Sequence, residues 1–297
     1  MSSELATLVP VEIWEHIIDF VNTISTRRFD PVRCRTLASC CLTSRSWLPR
    51  SRLHLYHSVS LYLTPQYQNH SSFLRGLSLN PTNGPLVQWL MVKTEDPNVL
   101  ESSAGSGLSL IALQLPHRLP NLQFLTLAGV DLINIHPTTY IGLSCFRSVR
   151  FLVLQASVWS RYDQIYRVIK AFSGLIEVII DFPPSHIVQS PTPFVEWTPE
   201  RRWHNRKITV PSLTLQIPDK YIAGMMHLFA PCTVLNIELR NLLPPEMLAV
   251  ANYLRLCGKA LRKLTLNFKS KAGPVAMHTM VHNVPSEFTV VSVNYQC

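Results

Sequence analysis

Glycine is scarce in this chain, 10 residues of 297, whereas proline supplies 22. That balance suits many short elements joined by stiff connections and argues against flexible linkers. Charge is sparse too, at 15% against 47% hydrophobic residues, which excludes a disordered chain and allows a packed core. The 297 residues suit one large domain or two smaller ones. Acidic residues are few and scattered, so no acid/base carboxylate pair can be nominated. The net charge of +9 favours acidic or polyanionic neighbours without naming one. Part of it lies in the run RRWHNRK at 201–207, which reads either as a solvated loop or as a contact for nucleic acid or an acidic partner.

Seven cysteines, an odd number without a dense pattern, argue against a disulfide scaffold. Cys40, Cys41, Cys145, Cys232 and Cys257 sit in apolar settings and are expected as buried reduced thiols. No apolar run approaches the roughly eighteen residues needed to cross a membrane. The first residues, MSSELATLVPVEIWEH, have no basic start and no uninterrupted apolar stretch, so no secretory signal is expected. Cys297 stands last in the sequence, so no prenylation box is expected. These features lead us to expect a soluble intracellular protein, cytoplasmic and/or nuclear, in a reducing compartment.

Catalytic signatures are missing as well. There is no G-x-S-x-G elbow, no P-loop and no dinucleotide glycine fingerprint. The glycines of SAGSG at 103–107 lack a preceding strand or a following lysine. His278 and His282 stand four apart in HTMVH, but two histidines without a third ligand or a general base do not make a metal site. His54 and His57 are expected in structural contacts. The expectation is therefore no enzyme, no catalytic residue, no cofactor, no metal and no small-molecule substrate.

Two stretches near the start are informative. In LVPVEIWEHIIDFV (8–21), Ile13, Trp14, Ile17, Ile18 and Val21 make one apolar helical face. A polar connection, NTISTRRFDPVRCR, is expected at 22–35. In TLASCCLTSRSWLPRSRLHLYHSVSLYL (36–63), Thr36 is the expected cap of a helix carrying Leu37, Cys40, Cys41, Ser44, Trp47 and Leu48 on one face. Pro49 should end that helix and begin another. From Val59 the period becomes two, with Val59, Leu61 and Leu63 alternating against Ser60 and Tyr62, the mark of a strand.

This succession, over about residues 5–61, resembles an F-box: a Pro-led first helix with aliphatic anchors, a central Cys/Leu-x-x-x-Ser/Cys-x-x-Trp segment and a last helix leading into a strand. Val9-Pro10 stands where the family has Leu-Pro, with Leu8 one residue earlier, and the first connection is longer than in compact members. The resemblance implies binding of a Skp-type adaptor, and through it a cullin-based ubiquitin ligase. It assigns adaptor contact to Leu8, Pro10, Ile13, Trp14, Ile17 and Ile18, and to Leu37, Cys41, Leu42 and Trp47. Such recognition places a helix in a groove, with apolar anchors supplying the affinity.

Behind it a pattern recurs, two aliphatics with one residue between them. The pairs begin at Leu90, Leu125, Leu152, Val178, Leu213, Ile237, Leu264 and Val291, with steps of 35, 27, 26, 35, 24, 27 and 27. Five of the seven steps fall within the roughly 20–29 residues of a leucine-rich repeat. The two long steps contain SSAGSG (102–107) and the segment 183–207, both read as loop insertions. Helices are expected within 162–172, 219–231 and 245–259. The asparagine expected after each pair is mostly absent, with Val130 and Ser157 in its place, so the ladder resembles the divergent repeats of F-box proteins.

The expected fold is thus α/β: a short three-helix F-box-like unit at 5–57, then an irregular leucine-rich-repeat solenoid with parallel strands at 58–297. Residues between and just after the pairs would form the target face, with Lys93, Gln155, Gln216, Glu238, Arg240 and Asn267 as candidate target contacts. The mixed, weakly charged character of that face suits a protein surface better than a phosphate backbone. The expected role is a non-catalytic substrate receptor of a cullin-type ligase, which holds an unknown target protein beside the ubiquitin-transferring machinery, with neither a membrane nor specific nucleic acid as partner. The alternative is a stand-alone repeat scaffold whose helices only cap the solenoid.

Overall fold

The structure is a computed structural model that describes residues 10–24, 30–63, 69–94, 103–157, 159, 161–182, 207–217, 219–242, 247–269 and 290–296. Three helices come first: α1 (Val11–Ile24), α2 (Pro31–Thr43) and α3 (Leu48–His57). Strand and helix then alternate through most of the chain: β1 (Ser58–Tyr62), α4 (Asn69–Leu79), β2 (Trp89–Lys93), α5 (Ser103–Gln114), β3 (Phe124–Ala128), α6 (Pro137–Ser144), β4 (Phe151–Gln155), α7 (Tyr162–Ala171) and β5 (Glu177–Asp181). After these come β6 (Ser212–Gln216), α8 (Asp219–His227), β7 (Asn236–Leu242), α9 (Met247–Cys257), β8 (Lys263–Lys269) and β9 (Val290–Gln296).

The chain is α/β, and its nine described strands form one sheet in sequential order, each parallel to the next. A parallel pair needs a crossover, which is why a helix stands between most of them. The aliphatic pairs set the register. Leu90, Leu125, Leu152, Val178, Leu213, Ile237, Leu264 and Val291 stand side by side. Their partners two residues on, from Val92 to Val293, do the same. From β2 to β8 both rows are buried, in one core with helix residues such as Ile111, Leu143, Ile165, Met225 and Leu254. Burying each such side chain contributes roughly 1.5–3 kcal/mol. The residue between each pair faces the other way, because successive strand side chains alternate.

Parallel register also aligns like residues on that other face. Trp89, Phe124 and Phe151 stack with centroids 4.7 and 4.2 Å apart and planes within 9°. At the first edge, Asn69 acts as a short surrogate strand: its Nδ2 donates to Ser60 O at 3.1 Å, and its Oδ1 accepts from Tyr62 N at 2.9 Å. That blunts an otherwise open edge.

Several expectations need correction. Thr36 is not a cap. Asp30 is, since its Oδ1 accepts from Val32 N at 2.9 Å and Pro31 follows in the first turn; Thr36 lies inside α2 and donates to Val32 O. The polar connection expected at 22–35 is shorter, because α1 runs to Ile24 and the Asp30-Pro31 start signal opens α2. Helix α2 ends at Thr43, so Trp47 and Leu48 do not share its face; residues 45–47 form a turn before α3, with Pro49 in that helix's first turn. Residues 103–107 are not a loop but the start of α5. Gly107 lets that helix close on Leu63, where a β-carbon would lie 2.9 Å from Leu63 Cδ2. Of the cysteines expected to be buried, only Cys257 is; Cys40 and Cys41 are half-buried, and Cys145 and Cys232 are exposed at a helix C-terminus and in a short 3-10 turn. Residues 183–206 and the histidines at 278 and 282 lie outside the described residues.

Candidate interaction sites

The N-terminal helix α1 is held by an aromatic contact with the turn before α3 and by an ionic contact with α3 itself. Trp14 and Trp47 meet at 4.6 Å between ring centroids, tilted by 41°. On the same helix Asp19 is gripped by α3: Arg50 donates from Nε to Oδ1 and from Nη2 to Oδ2, both at 2.6 Å, and His54 Nε2 lies 2.6 Å from Oδ1. The Arg50 hydrogen bonds, aided by His54 and opposed by burial, hold the Asp19 carboxyl well below the usual carboxylate range. Across α1 and α2, Arg33 Nη1 donates to Asn22 Oδ1.

These contacts divide the apolar residues of α1 into two rows. Ile18 is 1% exposed and Trp14 and Val21 are half-buried, all turned toward the other helices. Ile13 (48% exposed), Ile17 (46%) and Phe20 (65%) form a second row at i, i+4 and i+7 that no described element covers. Pro10 is exposed just before it. Leu42, near the end of α2, is 89% exposed. Cys41 is half-buried, and burial pushes its thiol up. Ile18 and Leu37, assigned to the adaptor face by the resemblance, are both sealed inside the helical unit and offer no surface to a partner. Leu8 lies outside the described residues. Phe20 and Val32, both exposed, were not singled out in the sequence, although Phe20 continues the Ile13–Ile17 spacing.

The second surface is the sheet face turned away from the core. Lys93 and Gln155 are exposed on it, Gln216, Glu238 and Arg240 are half-buried, and Asn267 is 8% exposed. Lys93 stands apart on β2, next to Ala128 in the register. The others are linked. Arg240 Nε donates to Glu238 Oε1 at 2.6 Å, Arg240 Nη1 to Gln216 Oε1 at 3.3 Å, and Asn267 Nδ2 to Glu238 Oε1 at 3.4 Å. Gln155 Nε2 reaches Asp181 Oδ2 at 3.4 Å. Asp181 was not singled out in the sequence, although it stands just after the pair Val178 and Ile180 as Gln155 and Gln216 stand after theirs; the register places it between them. Burial pushes its carboxyl above the ordinary range, against the opposing effects of Gln155 and Arg240.

No family model and no curated protein matches this chain. Among the described residues, no group of three or more His, Cys, Asp or Glu side chains is placed to hold a metal ion. No described helix is long and apolar enough to cross a membrane. Among the described residues the one buried thiol is Cys257, which burial pushes up to about 12 and which suits packing.

Proposed function

We propose that this protein is a non-catalytic substrate receptor of a cullin-type ubiquitin ligase. Its three N-terminal helices form an F-box-like unit for a Skp-type adaptor, and residues 58–297 form an irregular leucine-rich-repeat solenoid whose uncovered sheet face holds the target protein. The observation that carries this reading is the exposed row Ile13–Ile17–Phe20 on a helix whose other apolar row is already satisfied by its neighbours. A second apolar row on a short helix is a cost in water unless a partner covers it. Helix-in-groove binding uses that i, i+4, i+7 spacing. Ser157 supports the divergent-repeat reading: its hydroxyl, where an asparagine would be expected, donates to Leu127 O at 3.3 Å and ties neighbouring turns.

The test is co-elution of the full-length chain with a Skp-type adaptor. Ile13→Asp with Ile17→Asp should weaken binding at least a hundredfold, since about 1.5–3 kcal/mol rides on each buried aliphatic side chain. The far-ultraviolet circular dichroism should not change, because both residues point outward. A second reading, a stand-alone scaffold capped by its own helices, draws on the packing of α3 against β1 and the 3-10 turn Pro81–Leu86. Under that reading the wild type itself fails to bind the adaptor and the double variant behaves identically.

A further inference from the structure

The face of the sheet turned away from the core has two unlike halves. The first residues of the strands stand side by side in the register. In β1 and in β5 to β8 they are polar: Ser58, Glu177, Ser212, Asn236 and Lys263. In β2, β3 and β4 they are Trp89, Phe124 and Phe151. Two residues further on, the same face carries Met91, Val153 and Ile179 in β2, β4 and β5, against Thr214, Glu238 and Thr265 in β6 to β8. All six of these apolar side chains are half-buried, so part of each meets water. The fold does not require them, because neighbouring strands of the same sheet pair in the same register with polar residues there. An apolar patch confined to one half of a face marks a contact surface.

The three rings lie face to face, with 5° and 9° between their planes. Phe124 is covered on both faces by its neighbours, so it shows water only its edge. A ring edge carries the positive part of the quadrupole and favours a carboxylate or carbonyl oxygen over a cation. The charges around this half agree. The connections into β3, β4 and β5 (115–123, 145–150 and 172–176) contain His117, Arg118, Arg147 and Arg150 and no Asp or Glu. Arg118 donates to Leu74 O and Ser78 Oγ, and Arg150 donates to Gly174 O, which holds both along the edge where the strands begin. Arg147 is exposed on the same connection as Arg150. At the other end of β2, Lys93 is exposed two residues beyond Met91. The acids of this face begin only at β5, with Glu177 and Asp181.

We propose that β2 to β4 hold a segment of the target protein in which an aromatic or aliphatic side chain is flanked by aspartate or glutamate. This rests on the reading of the sheet face as the target-binding surface and adds the chemistry of the target. The apolar side chain covers the ring edges together with Met91 and Val153. The carboxylates meet Arg147 and Arg150 where the strands begin. Apolar contact supplies the affinity, and the arginine rim fixes the direction of the segment. The net charge of the whole chain, +9, draws an acidic segment toward it at long range. A single-stranded nucleic acid would also find the arginines, but its bases need an open ring face to stack on, and the middle ring of this stack has none.

The probe is a random linear peptide library displayed on phage and selected on the full-length chain. Enriched peptides should carry an aromatic or aliphatic residue beside Asp or Glu. A synthetic copy should bind about tenfold more weakly to Phe124→Ser, which gives β3 the residue type that β1 and β6 carry at that position. Arg147→Glu should weaken binding by about the same factor at low salt and by less as salt rises. A copy of the peptide with its carboxylates changed to amides should bind the wild type and Arg147→Glu equally. The melting temperature of Arg147→Glu should stay level, because the side chain is exposed on a connection, so this variant decides the matter even if Phe124→Ser fails to fold. Failure to enrich a peptide, enrichment without an acidic residue, undiminished binding to Arg147→Glu or to a folded Phe124→Ser, or tighter binding of oligothymidylate than of the peptide at physiological salt would overturn the proposal. Adaptor co-elution is measured in parallel on the same proteins. A wild type that binds the peptide but no adaptor sinks the ligase reading alone, and the reverse result sinks this one alone.

Discussion

Residue 156 shows how a single position can carry strain that its neighbour avoids. The residue just after β3 is Gly129, at φ +67°, and its counterpart after β4 is Ala156, at φ +48°. Both strands leave the sheet through a left-handed residue, but only glycine takes that conformation without steric cost. A β-carbon on Gly129 would lie 2.5 Å from Thr94 Oγ1, which donates to the Gly129 carbonyl. Gly129→Ala should therefore cost about 1–3 kcal/mol, from strain and the displaced threonine. Ala156→Gly should be neutral or stabilising by up to about 1 kcal/mol. Urea unfolding midpoints at equal slopes measure both. A destabilised Ala156→Gly would show that the alanine methyl packs usefully.

Among the elements, α1 shows both the reach and the limit of pattern reading. Its apolar residues are plain in the sequence, but two adjacent rows, 14–18–21 and 13–17–20, are both apolar, and α2 and α3 choose between them. The ion pair at Asp19 fixes that choice. A carboxyl whose value is depressed on folding contributes stability above its unfolded value, near 4, and that contribution fades as the pH falls below it. Docking of α1 should thus loosen progressively under acid. Asp19→Asn should be less stable at neutral pH and lack that acid-dependent part. Thermal melts of both proteins between pH 7 and pH 2 check this, and parallel curves would rule the pair out as the anchor. Helix α5 shows the limit from the other side: the glycines and serines of 103–107 look like loop residues, yet a helix forms because Leu108, Ile111, Ala112 and Leu115 dock on the core.

At the scale of the whole molecule, stability should follow which side of the sheet a side chain faces. Leu152→Ala empties a buried position shared with Leu125 and Val178 and should cost about 2–5 kcal/mol. Its neighbour Val153 lies half-buried on the opposite face, and Val153→Ala should cost well under half as much. Similar values at the two positions, measured by chemical unfolding, would contradict a sheet with one core face.

The sequence by itself determined the α/β alternation, the aliphatic pairs and their order, because hydrophobic period is written between residues close along the chain. It marked Ile13, Ile17, Gln216, Arg240 and Asn267 as candidate contacts, and it also marked Ile18 and Leu37, which are sealed. The same period places Asp181, just after the pair Val178 and Ile180, beside Gln155 and Gln216. Only the tertiary structure decided which apolar row of α1 stays bare and which polar residues of the sheet face hydrogen-bond to one another. Exposure and hydrogen bonds across strands depend on elements distant in the chain, and no local period records them.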